Sequence, residues 1–418
     1  MQTRWRGIPR SMTEHRIIRL GHQGDGIAQG PIFAPMTLPG EVVTGTLDGD
    51  RLSEVRIVKP SSSRVAPPCR HYKACGGCQV MHASDDFVAS WKTDVVRAAL
   101  FAQGIEAEFR PILTSSPRSR RRASLSVRRT KKGAMAGFHA RASDTLIEIP
   151  DCQLLLPELM AALPLAEALA VAGGSRKGEL TVQVTQSDNG LDVLVTGGKP
   201  LDGPLRMAIA AEAERFRLAR LVWEDELVGM RQPPVQRFGG ARVVPPPGAF
   251  LQATAEGEAA LLAAVTEAVG GAARVVDLFA GCGTFALPLA SNAEVLAVES
   301  DSAMLKALDQ GWRQAEGLKR VTTETRDLFR RPLLPDELKR FDAAVIDPPR
   351  AGAEAQVAEL AKARIGRIAF VSCNPVTFAR DAKILLDAGY RLEWVQVVDQ
   401  FRWSTHVELA AFFAAPHI

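Results

Sequence analysis

From about residue 246 onward, short apolar runs alternate with amphipathic stretches in a regular order. Apolar runs at 274–278, 294–298, 342–346 and 367–371 are separated by stretches at 285–291, 301–316, 354–363 and 376–388. Short runs that are apolar throughout predict strands buried on both faces, and the intervening stretches predict crossover helices. The alternation predicts an α/β domain, a doubly wound and mostly parallel sheet, over residues 246–418.

The pattern differs upstream. Between residues 14 and 59 short apolar runs (Arg16–Leu20, Pro31–Ala34, Glu41–Thr44, Ser53–Val58) alternate with the turn signals Gly24-Asp-Gly26, Leu38-Pro-Gly40 and Asp48-Gly-Asp50. Short strands so closely spaced predict a small OB-like β-barrel over 1–62, an architecture often used to bind oligonucleotides. A Pro- and Ser-rich linker follows at 59–68, and a helix is expected over 84–103. Residues 105–245 mix strands (179–184, 191–195) with helices (157–172, 203–217), so a central α+β domain is expected over 63–245.

Composition adds limits. A chain of 418 residues exceeds one ordinary core, and 46% apolar with 23% charged residues is a globular balance. No apolar run of about 18 residues occurs, which argues against a membrane helix. The start, Met1-Gln-Thr-Arg-Trp-Arg-Gly-Ile-Pro-Arg10, lacks the apolar stretch of a signal peptide. A cytoplasmic monomer is expected. The net charge of +4 matters less than its distribution, because residues 118–132 carry eight cations and no acid. That run is either a phosphate-binding patch or a solvated basic face. Alternation at 123–127 predicts a strand inside it.

The stretch Arg274-Val-Val-Asp277-Leu-Phe279-Ala-Gly281-Cys-Gly283-Thr284 runs from a strand into a glycine turn. Glu299 ends the next strand, where an acid can hold the ribose hydroxyls of an adenosine cofactor. A nicotinamide dinucleotide, S-adenosylmethionine and a purely structural turn all suit such a loop. Ala286 stands in place of a third glycine, and the short loop favours the methyl donor.

Two further strands end in reactive groups. Asp347-Pro-Pro-Arg350 puts a carboxylate at a strand's carboxyl end, where ligands bind in such sheets. Asp-Pro-Pro also resembles the motif of adenine amino-methyltransferases, which usually continue with an aromatic residue. Val371-Ser-Cys373-Asn-Pro375 places a thiol at the next carboxyl end, ahead of a helix N-terminus that would lower its pKa. Carbon 5 of uracil is a poor nucleophile. Addition of sulfur to carbon 6 makes an enolate whose carbon 5 can accept a methyl group, after which a base must remove the carbon 5 proton. His406 and Glu408, beside a final strand, are the candidate bases.

Asp347-Pro-Pro-Arg, Ser-Cys-Asn-Pro-x-Thr-x-x-Arg-Asp over 372–381, His406-Val-Glu408 and Phe250-Leu-Gln252 together resemble the RNA 5-methyluridine methyltransferase family. The resemblance implies that Cys373 is the nucleophile and Glu408 the proton acceptor. It implies that Gln252, Phe279, Gly281, Gly283, Thr284, Glu299, Asp327 and Asp347 hold S-adenosylmethionine, and that Phe250 contacts the target base. Thr254, Thr284, Asp327 and Arg402 stand where members commonly have Asn, Asn, Asn and Pro.

Cys69, Cys75, Cys78 and Cys152 remain, and Cys282 reads as a packing residue. By spacing alone the four suit zinc and an iron–sulfur cluster equally. The resemblance implies a 4Fe-4S cluster and a TRAM-like N-terminal barrel, as in members that modify 23S rRNA. The expected partner is RNA, with 23S rRNA as the main reading and tRNA as the alternative. Adenine amino-methylation and a non-enzymatic RNA chaperone are the competing functions.

Overall fold

The computed structural model describes residues 13–416, so the segment 1–10 read for a leader lies outside the described residues. Among the described residues no helix is long and apolar enough to cross a membrane. The chain divides into two compact units. Of the described residues, one comprises 13–68, 78–91 and 403–405, and the other 69–77, 92–402 and 406–416.

The first unit contains a closed barrel of five strands in the order His15–Leu20, Gly26–Ala28, Ile32–Ala34, Arg51–Lys59, Val42–Asp48. Ile17, Ala28, Ala34, Val43 and Leu52 fill its interior. The short strand Gly26–Ala28 falls where the sequence shows only a turn signal, because a three-residue strand has too few positions to display alternation. Glu41 is buried and pairs with Arg64 at 2.5 Å, while accepting from the Leu38 and Ser61 amides. Burial pushes its carboxyl up, but these partners outweigh burial and hold it below its ordinary value.

The second unit holds two large sheets, besides a two-stranded hairpin of Gln236–Phe238 and Ala241–Val243. The smaller has seven strands in the order 226–230, 220–223, 190–196, 179–187, 122–129, 134–139, 146–148. Helix Ala162–Gly173 covers it and buries Leu165, Ala166, Leu169 and Ala170. Trp223 is fully buried there, and its indole donates to the Lys199 carbonyl at 2.9 Å. The helix expected over 157–172 is two pieces, Pro157–Met160 and Ala162–Gly173.

The larger sheet has eight strands in the order 321–325, 294–299, 274–278, 343–346, 367–372, 408–414, 391–399, 113–114. The first five are parallel, and Glu408–Ala414 runs antiparallel to both neighbours. Ala343–Ile346 is buried at every residue, as expected of a strand covered on both faces. Strand order reverses between Arg274–Leu278 and Ala343–Ile346, and the carboxyl ends there open a crevice suited to a ligand. The doubly wound domain expected from residue 246 is therefore present. The helix expected over 285–291 is a single turn, Ala286–Leu289. Strand Val321–Thr325 escapes a search for apolar runs because three of its five residues are Thr.

Candidate active site

The crevice is a cavity of about 550 Å³ lined by Phe250, Phe279, Gly281, Glu299, Asp327, Asp347, Cys373 and Glu408, among others. Eight residues singled out from sequence thus meet in one place, although they span 159 positions (250 to 408) of the chain. Gln252, Gly283 and Thr284 do not line it. Gly283 has φ +94°, and a side chain there would meet Leu287 and Leu308 at 2.9 Å, so this glycine permits close packing behind the loop. Cys282 is buried in the hydrophobic core and burial pushes its thiol up to about 12, which makes it an inert packing residue.

At one end of the cavity the loop after Arg274–Leu278 turns sharply. Phe279 has φ +64°, a strained value for a residue with a side chain, and its ring leans on Phe329 with centroids 5.4 Å apart. Glu299 accepts from the Gly281 amide at 3.2 Å, and its other oxygen accepts from Ser300 and Asp301 amides. Asp327 accepts from the Phe329 amide at 3.0 Å. Behind the loop Asp277 is fully buried, and neither of its oxygens meets the geometry of a hydrogen bond. Burial pushes its carboxyl well up, and the charges of Asp347 and Glu299 add to this, although the Ala286 amide lies near enough to oppose them. An acid-rich hollow with two aromatic walls suits a cationic adenosine ligand, so these residues fit S-adenosylmethionine.

At the other end stand Cys373, Asp347 and Glu408. Ser372 pairs with Leu409, so the antiparallel register sets Cys373 opposite Glu408 one step further along. Glu408 is buried, and burial together with the charge of Asp347 pushes its carboxyl up to about 8, against a hydrogen bond from Gln400. Burial pushes Asp347 up to about 7. The Cys373 thiol is pushed up to about 11, first by burial and then by Glu408 and Asp347, with Arg350 opposing. This corrects the expectation of a depressed thiol. Asn374 caps helix Pro375–Asp387 with its own side chain, accepting from the Val376 amide at 3.1 Å, so the helix terminus is already served.

Sequence reasoning missed Arg120, Phe401 and Arg350, which also line the cavity, while His406 lines it beside Phe401. The ring centroids of Phe401 and His406 lie 5.5 Å apart, and the Arg120 guanidinium lies 5.8 Å from the Phe401 ring. The basic run 118–132 is mostly not a free patch. Arg121 pairs with Glu258 and donates to the Gln252 carbonyl, Arg128 pairs with Glu179, and Arg118 with Asp151. Arg122 donates to the Leu251 carbonyl and lies over the Phe250 ring at 5.1 Å, so it holds the Phe250 segment. Thr254, a departure from the family pattern, caps helix Ala255–Val269, a task Asn would also perform. Arg402 donates to the Ser115 carbonyl.

Cys69, Cys75 and Cys152 form no disulfide. Cys75 and Cys152 belong to one hydrophobic cluster under the seven-stranded sheet. Burial pushes both thiols up, and the charge of neighbouring thiols adds to it. Among the described residues no group of three or more His, Cys, Asp or Glu is arranged to hold a metal ion. Cys75 and Cys152 nevertheless lie near enough to Cys69 for the charges to interact.

A family profile described as tRNA (uracil-5-)-methyltransferase matches residues 244–415. The chain is 43% identical to an uncharacterized RNA methyltransferase of Brucella suis, covering 94% of this chain and 95% of that one. It is 33% identical to the 23S rRNA (uracil(1939)-C(5))-methyltransferase RlmD of Shewanella piezotolerans, covering 95% and 94%. The tRNA (uracil-54, C5)-methyltransferase of Pyrococcus abyssi, solved with S-adenosyl-L-homocysteine, shares the fold with a TM-score of 0.75 at 22% identity, covering 96% and 99%. The chain belongs to the RNA (uracil-5-)-methyltransferase family.

Proposed function

We propose that this enzyme methylates carbon 5 of one uridine in 23S rRNA through a covalent bond between Cys373 and carbon 6 of the base. The carrying observation is that Cys373 and Glu408 line one cavity on adjacent antiparallel strand ends. Likeness to a 23S rRNA enzyme over nearly the whole chain supports the target, with tRNA as the second reading because of the family profile.

S-adenosylmethionine supplies an electrophilic methyl group when bound. Glu299, Asp327 and Asp347 would hold it, and Phe279 and Phe329 would flank it. Phe250 and Phe401 offer apolar faces to a uracil taken out of its RNA stack. Cys373 passes its proton to solvent water as its sulfur adds to carbon 6, and the electron pair of the 5,6 double bond moves toward oxygen 4. The returning pair lets carbon 5 take the methyl group. Glu408 then removes the carbon 5 proton, the double bond reforms and the sulfur leaves. A carboxyl raised to about 8 is matched to proton abstraction near neutral pH.

Cys69, Cys75, Cys78 and Cys152 are proposed as cluster ligands on the strength of the resemblance, and no step above uses them. The proposal is tested with RNA carrying 5-fluorouridine. The fluorine cannot be removed as a proton, so wild type traps a methylated covalent adduct and Cys373→Ala forms none. An equal yield of adduct from Cys373→Ala rejects the mechanism.

A further inference from the structure

We infer that Gln400 is a positioning residue whose one side chain fixes Glu408, the proposed base, and Gln252, which stands behind the cavity wall and which the family resemblance makes a donor contact. Its Oε1 accepts from the Ala253 amide at 2.7 Å. A backbone amide can only donate, so the orientation of the Gln400 amide is settled, and both Nε2 hydrogens point the other way. One goes to Gln252 Oε1 at 2.6 Å and the other to Glu408 Oε2 at 3.0 Å. All four residues are buried, at 4% exposure or less.

Each bond removes a freedom. The bond to Glu408 occupies one lone pair of Oε2, which favours Oε1 as the oxygen that receives a proton from carbon 5. Gln252, which accepts through its carbonyl, keeps its amide nitrogen as the donating end. That nitrogen is then presented in a fixed sense to whatever the residue contacts. The two groups lie 156 positions apart (252 to 408), and Gln400 bridges them.

The surroundings hold Gln400 in turn. Asp399 and Lys92 form a fully buried pair at 2.5 Å, Lys92 Nζ also donates to the Phe401 carbonyl, and Asp399 accepts from the Phe401 amide. The residues on both sides of Gln400 are thus pinned. Beneath it lies Gly257, where an added Cβ would come within 2.5 Å of Gln400 Cβ. A glycine is needed there for Gln400 to reach its place.

The inference rests on the reading of Glu408 as base and Gln252 as donor contact. Its test compares wild type, Q400L and E408Q on unmodified 23S rRNA and tRNA transcripts labelled with tritium at uridine carbon 5. Tritium release is followed across pH at saturating and limiting S-adenosylmethionine. Gln400 donates to the charged form of Glu408, so Q400L should move the rise in tritium release to higher pH by about one unit. The same variant should raise the donor KM roughly three- to tenfold. Q400M keeps length and volume, and the same shifts are expected from it should Q400L melt early. An unmoved pH profile and donor KM in either folded variant, with E408Q inactive, overturns the positioning role alone. Tritium release by E408Q at the wild-type rate overturns the reading of Glu408 and this inference with it.

Discussion

Cys373 stands opposite Glu408 because Ser372 pairs with Leu409 on the neighbouring antiparallel strand. The proposed nucleophile at the end of a parallel strand and the proposed base at the start of an antiparallel one are brought together by a single register. The charge of Glu408 adds to burial in raising the Cys373 thiol, while Glu408 itself is raised by burial and by the charge of Asp347.

Replacing Cys373 with Ala should lower methyl transfer on the order of a thousandfold or more while leaving donor affinity within about twofold. Isothermal titration with S-adenosyl-L-homocysteine and a filter assay of methylated RNA read the two quantities separately. A variant that loses both would assign Cys373 to the donor pocket instead.

Glu408→Gln should leave adduct formation in place and slow proton removal by about 10²–10⁴-fold. Wild-type proton removal should rise with pH through about 8, because only the carboxylate can accept the proton. The same shift affects stability. A carboxyl raised from 4.5 to about 8 favours the fold while protonated, fully so below pH 4.5, and this contribution is lost as the pH rises through 8. The melting temperature of donor-free wild type should therefore fall across that window more than that of Glu408→Gln. Parallel curves would show that Glu408 is not the group titrating.

Lys92→Met should cost about 3–5 kcal/mol, since it leaves Asp399 charged and buried without its cation. Urea titration measures this. The double variant Lys92→Met, Asp399→Leu should recover part of the loss, whereas additive losses would mean that the pair is not coupled.

Protein purified without oxygen should carry iron and acid-labile sulfide in equal amounts, and Cys152→Ser should lose both. Metal analysis that finds neither in wild type would remove the cluster from the account.

Much of the site could be read from sequence because Asp347, Cys373 and Glu299 end apolar runs, and the carboxyl ends of such strands are where ligands bind. The doubly wound order was legible for the same reason. Gln400 and Arg122 were not. Their importance comes from hydrogen bonds to Gln252, Glu408 and Leu251, residues remote in sequence, and no local pattern records such contacts. The basic run 118–132 misled in the opposite direction. Its charge density suggested an open surface, yet Arg118, Arg121, Arg122 and Arg128 each brace a particular partner. The Cys373 environment was misjudged because burial and the acids Glu408 and Asp347, which reach it only through the fold, raise the thiol.

The central claim is tested most directly by nucleoside mass analysis of 23S rRNA and tRNA from cells lacking this protein, complemented with wild type or Cys373→Ala. The account predicts that 5-methyluridine is missing from a position in 23S rRNA and returns only with wild type. Its return with Cys373→Ala, or a change confined to methyladenine, would contradict it.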